Sequence, residues 1–111
     1  MIATVARERQ TLFEIGLRTV AERAVVHFSA LLEVQELHAI PAPNLLTFWV
    51  FSDEEEYDRD LMGRLIEKES NLMDDFPGLA LDFKYLPMMR CPDTSECLPM
   101  GAKPLFKRHN G

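Results

Sequence analysis

Apolar and polar positions take three patterns in turn through the middle of the chain. Residues 45–51, Leu-Leu-Thr-Phe-Trp-Val-Phe, form an almost unbroken aromatic and β-branched run, which suits a strand covered on both faces. Beyond Ser52 the spacing becomes helical: Tyr57, Leu61, Leu65, Leu72 and Phe76 make one stripe, with Met62, Ile66 and Met73 on the adjoining ridge. Ser52 and Glu55 have the spacing of a capping box, so the helix is expected to begin near Asp53. Its polar face carries Asp60, Arg64, Glu67, Lys68 and Asn71, and Pro77-Gly78 ends it. Leu79, Leu81, Phe83 and Tyr85 then alternate with Ala80, Asp82, Lys84 and Leu86, predicting a strand with one buried face that Pro87 closes. Two strands joined through a helix of this length are most simply parallel, a βαβ unit over 45–87.

Upstream, residues 7–38 fit two patterns. Phe13, Leu17, Val20, Ala24, Phe28 and Leu31 recur at spacings of four and three, the seam of one helix running from Leu12 to His38. Phe13, Ile15 and Leu17 also alternate with Glu14, Gly16 and Arg18, which would place a strand at 11–18 before a helix from Val20 and give β-α-β-α-β. The Arg, Glu, Gln and Ala content favours the long helix. Pro41-Ala42-Pro43-Asn44 then reads as a stiff connector. The expected fold is therefore a small two-layer α/β domain over 1–87, in the order helix-strand-helix-strand. Pro87, Pro92, Pro99 and Pro104 interrupt the apolar Met88, Met89, Leu98, Met100, Leu105 and Phe106, so 88–111 is expected to be an irregular segment packed on the domain or on a partner.

A sheet of only two strands needs help to hold a core, and Val25, Val26 and Leu32 widen the apolar arc of the first helix. Both features point to a homodimer, with Phe13, Leu17, Val20, Ala24, Phe28 and Leu31 as the interface.

Composition narrows the setting. With 111 residues, 47% of them hydrophobic, the chain has the size of one domain. It contains no apolar run of membrane-spanning length and no signal-peptide pattern at the start, so a cytoplasmic protein is expected. The net charge of −6 opposes nucleic-acid binding, and protein is the expected class of partner. That charge is uneven: residues 52–82 hold eleven acidic and three basic groups, whereas residues 83–111 hold two and five.

Three groups of residues could carry chemistry. Cys91 and Cys97 have five residues between them, wider than the pairs of structural zinc sites, and His109 with Asp93 or Glu96 would be needed to complete a ligand set. Two ordinary thiols are expected. Asp53, Glu54, Glu55, Glu56, Asp58 and Asp60 cluster after a strand, where Asp53 and Glu56 are the candidate Mg²⁺ ligands, yet acids in a first helical turn also offset the helix dipole without any ligand. His27 and His38 have no carboxylate or cysteine fixed beside both by the sequence. Phosphate loops, nucleophile elbows, HExxH and CxxC are absent from the sequence. The expectation is a non-catalytic interaction or regulatory domain without a cofactor; its rival is a metal-dependent enzyme built on the acidic stretch 53–60.

Overall fold

The computed structural model describes residues 16–53 and 58–108, and it is a two-layer α/β domain. Helix α1 (Leu17–Ser29) leads into strand β1 (Val34–Ala42), which turns back as β2 (Leu45–Ser52). Helix α2 (Arg59–Asp75) crosses to β3 (Leu81–Pro87). A 3₁₀ turn (Met88–Arg90), the one-turn helix α3 (Thr94–Cys97) and β4 (Lys103–Lys107) complete it. The sheet order is β3-β2-β1-β4, antiparallel except for the β2–β3 pair.

The parallel β2-α2-β3 unit is the one the spacing predicts, with Phe48 facing Phe83 and Val50 facing Tyr85 across the ladder. Leu61, Leu65, Leu72 and Phe76 are the buried stripe of α2, while Ile66 and Met73 on the adjoining ridge remain exposed. The helix starts later than expected. Asp58 is its N-cap, in extended geometry, and its Oδ1 accepts from the backbone N–H groups of Asp60 (2.9 Å) and Leu61 (3.1 Å). Ser52 is instead the last, buried residue of β2, and its supposed capping partner Glu55 lies outside the described residues.

The long first helix is not formed. α1 ends at Ser29, and residues 34–42 are a strand, so the expected connector supplies the end of β1 and the Pro43-Asn44 turn of a hairpin. The competing strand at 11–18 falls largely outside the described residues; of its span, Leu17 and Arg18 open α1. The tail also contributes more than irregular chain, since β4 pairs with β1 and completes a four-stranded sheet. The sheet therefore does not need a second molecule to reach a workable size.

β1 is central, and a bulge decides which of its residues face inward. Val34 pairs with Ser52 and Glu36 with Phe51, leaving Gln35 as the extra residue. Val34, Leu37 and Ala39 consequently point to the helices, where they join Val20, Ala24 and Phe28 of α1 and Leu46, Phe48 and Val50 of β2 in the core. Phe83 sits between its neighbours, stacked on Phe48 at 5.5 Å and tilted against Phe28 at 5.9 Å.

Arg108 holds this junction. Its backbone N–H donates to the Gln35 carbonyl (2.8 Å), Nε to the Val34 carbonyl (3.0 Å), and Nη2 to the carbonyls of Ser29 (2.9 Å) and Leu31 (3.2 Å). The guanidinium also lies over the Phe106 ring, 5.1 Å from its centroid. It thus places a positive charge at the negative end of α1 and satisfies the carbonyls of the bulge. Hydrogen bonds from charged groups are the stronger class, so Arg108→Met should destabilise the domain by about 2–4 kcal/mol in a denaturant titration, with Arg108→Lys recovering only part of the loss.

Candidate functional site

The face of the sheet opposite the helices carries a buried polar cluster. Residues directly opposed in an antiparallel ladder project to the same side, which places Glu36 beside Phe51 and His38 beside Trp49. The His38 ring meets Phe51 edge-on at 5.7 Å, and Trp49 stacks on Phe51 at 6.5 Å. His38 Nε2 is 2.8 Å from Glu36 Oε1, and the side chains are 5% and 12% exposed, so the pair is nearly dry. A carboxylate only accepts, which puts the shared proton on Nε2. The other ring nitrogen, Nδ1, is buried without a hydrogen-bond partner among the described residues.

The segment between β3 and β4 closes over this cluster. Thr94 Oγ1 donates to the same Glu36 Oε1 (2.9 Å), tying the start of α3 to β1. Asp93 caps that turn, its Oδ1 accepting from Ser95 N (3.1 Å) and Ser95 Oγ (2.6 Å). The turn brings Cys91 and Cys97 to a Cα separation of 6.4 Å, and they form a disulfide rather than the two thiols expected. Spacing alone does not disclose the reversal of direction at Asp93 that makes them neighbours. Cys91 is buried and Cys97 is exposed.

The acidic stretch is divided among other tasks. Asp58 is the cap of α2, and Asp60 lies 3.2 Å from Arg64 Nε, whose Nη2 donates to Glu33 (2.7 Å). The Arg64 guanidinium holds the Glu33 carboxyl below its ordinary pKa, chiefly through that hydrogen bond. Asp53 is exposed, and its backbone N–H donates to the Glu33 carbonyl (3.0 Å). Glu56, like Glu54, Glu55 and His109, lies outside the described residues. Among the described residues no three His, Cys, Asp or Glu side chains are grouped to hold a metal.

The residues expected at a dimer seam lie inside the domain. Val20, Ala24 and Phe28 are fully buried, Leu31 is nearly so, and Leu17 packs against the same core; Phe13 is outside the described residues. What remains open on α1 is its other flank. There Arg18, Ala21, Glu22, Val25 and Val26 meet Pro104 and Leu105 of β4 in an open groove of about 520 Å³. Val26 is 57% exposed.

His27 is engaged with α2, a contact that sequence spacing could not supply. Its Nε2 is 2.7 Å from Asp75 Oδ2, which also accepts from Arg23 Nε at 3.2 Å. Tyr85 donates its hydroxyl to Glu69, and burial, reinforced by that bond, pushes the Tyr85 pKa far up. No helix among the described residues is long and apolar enough to cross a membrane. Compared with known protein families, curated proteins and solved structures, the chain matches none.

The Asp75 contact sets a pH dependence. Hydrogen bonds from His27 and then Arg23 lower its pKa from the ordinary 3.8, so folding binds fewer protons at this group than unfolding does. Its contribution is complete above about pH 4 and is lost as pH falls through the depressed value. In acid titrations of stability, Asp75→Asn should therefore match the loss seen for the native protein at low pH while narrowing the difference between pH 6 and pH 3. An unchanged slope below pH 4 would remove Asp75 from the acid response.

Proposed function

We propose that the chain is a small non-catalytic interaction domain that acts as a homodimer in the cytoplasm and engages a protein partner. The groove between α1 and β4 carries this reading: it joins exposed apolar surface at Val26 to a cationic and an anionic side chain one helical turn apart. Arg18 and Glu22 are 92% and 65% exposed and pair within one chain at 3.0 Å, an arrangement worth little in water. Across a two-fold axis the same two side chains are self-complementary, Arg18 of one copy meeting Glu22 of the other, while Val26 is covered. The net charge of −6 supports a protein rather than a nucleic acid as the further partner. A disulfide sits uneasily in a reducing compartment, so the cytoplasmic part of this reading requires that Cys91 and Cys97 be reduced there.

Sedimentation at micromolar concentration should show a dimer. Arg18→Glu should weaken it by about tenfold, and the double exchange Arg18→Glu with Glu22→Arg should restore it, because only the reversed pair is again complementary. A monomer at every concentration, with or without these changes, would refute the dimer.

The metal-dependent alternative makes the opposite demand on the acidic stretch. With Asp58 committed to capping and Asp60 to Arg64, divalent ions at millimolar concentration and about 0.15 M monovalent salt should leave the melting temperature unchanged. A saturable rise that disappears in Asp53→Asn with Glu56→Gln would favour the enzyme reading.

A further inference from the structure

The two sulfurs of the disulfide differ in access, and the loop that carries them is held by more than their bond. Cys91 is 4% exposed, whereas Cys97 is exposed at the end of α3. The loop keeps the Asp93 cap on Ser95, the Leu98 N–H to Thr94 carbonyl bond (3.1 Å), the Cys91 N–H to Met88 carbonyl bond (2.9 Å) and the Thr94 anchor on Glu36. None of these involves the sulfur atoms. Cys91 Sγ also lies 3.2 Å from the Asp93 carbonyl oxygen. A disulfide sulfur has no hydrogen to donate, but a Cys91 thiol would find its acceptor already in place.

We propose that Cys91–Cys97 is a reversible thiol–disulfide exchange site at which a small thiol attacks Cys97. The attacking thiolate bonds to Cys97 Sγ as the Cys91–Cys97 bond breaks, and Cys91 leaves as a thiolate that takes a proton from water. A second thiolate then attacks the sulfur of the small thiol in the mixed disulfide, and Cys97 leaves in turn. Two small thiols are oxidised to one small disulfide, and the protein disulfide is reduced to two thiols. Attack at Cys97 is set by access, since the rate of exchange depends on which sulfur the nucleophile can reach. Both states keep the same loop, so exchange does not require the domain to unfold.

Glutathione is the probe. The protein is equilibrated with mixtures of reduced and oxidised glutathione, quenched in acid, alkylated and weighed by mass spectrometry, with circular dichroism followed in parallel. The expected result is that most molecules are reduced when reduced glutathione is in about 100-fold excess, with the folded spectrum retained. In single-cysteine variants, Cys97 of Cys91→Ser should form a mixed disulfide with oxidised glutathione at least about tenfold faster than Cys91 of Cys97→Ser. Because Cys91 is buried and its variant could be perturbed, peptide mapping of the mixed disulfide trapped early in the native protein provides the second measurement, and glutathione should be found on Cys97. Reduction only together with loss of the folded spectrum, or glutathione trapped mainly on Cys91, would overturn the proposal.

Discussion

Much of this structure depends on one extra residue in β1. The bulge at Gln35 turns Val34 and Leu37, three apart in sequence, toward the same side, and it sends Glu36 and His38 to the other. A bulge leaves backbone groups without a ladder partner, and unsatisfied carbonyls in a central strand are costly. Arg108 answers that cost from the far end of the described chain, bonding the carbonyls of Val34 and Gln35 while reaching the last carbonyls of α1. The helix end, the bulge and the start of the central strand are thereby fixed by one side chain. Without the bulge in register, His38 and Glu36 would compete with Leu37 for the hydrophobic layer.

The same bulge explains why β1 is hard to read in the sequence. Phe28, Leu31, Val34 and Leu37 continue the spacing of α1 without a break, and only the turn after Ser29 separates the helix from the strand. The hairpin that follows is equally quiet. Two-residue turns of the favoured kinds need a positive φ and announce themselves with Asn-Gly or a similar pair, but among the described residues no non-glycine has positive φ, and the turn is Pro43-Asn44. Pro41 argues against a central strand, yet it lies beyond the stretch that β4 pairs, which ends at Ala39. β4 is short and contains Pro104, so nothing in its own pattern marks it as a strand. By contrast β2, β3 and the body of α2 follow from spacing, because the apolar side of each packs on the core, Leu81, Phe83 and Tyr85 of β3 only partly buried, and the β2–β3 ladder is not bulged.

Legibility at the candidate sites follows the same division between local and distant contacts. The i,i+4 pairs Arg18–Glu22 and Asp60–Arg64 are local consequences of helical geometry. The Glu36–His38–Thr94 cluster is not, since Thr94 reaches Glu36 across 58 positions of sequence. His27 and Asp75 are 48 apart and meet only because α1 and α2 lie side by side. For the cysteines the sequence offers a spacing and the loop supplies a direction. Expecting thiols from the compartment uses a property of the cell, whereas the bond in the structure follows from the turn at Asp93.

The position of the expected dimer seam shows what an apolar stripe can and cannot imply. A seam at spacings of four and three says that one face of a helix must be covered, not which surface covers it. In this chain α2 and the sheet supply the cover, so Val20, Ala24 and Phe28 are consumed within the domain. The proposed self-association instead requires a surface left open after folding. An isologous contact brings each residue near copies of its neighbours, so a patch of one sign repels itself while a patch holding both signs does not. The flank of α1 holds both signs, Arg18 and Glu22, beside the exposed Val26. β4, which lends Pro104 and Leu105 to that groove, is an edge strand and also carries Lys103 and Lys107; proline and lysine discourage strand-to-strand pairing at a sheet edge. The proposed self-association therefore runs through helix flanks rather than through an extended sheet at this edge.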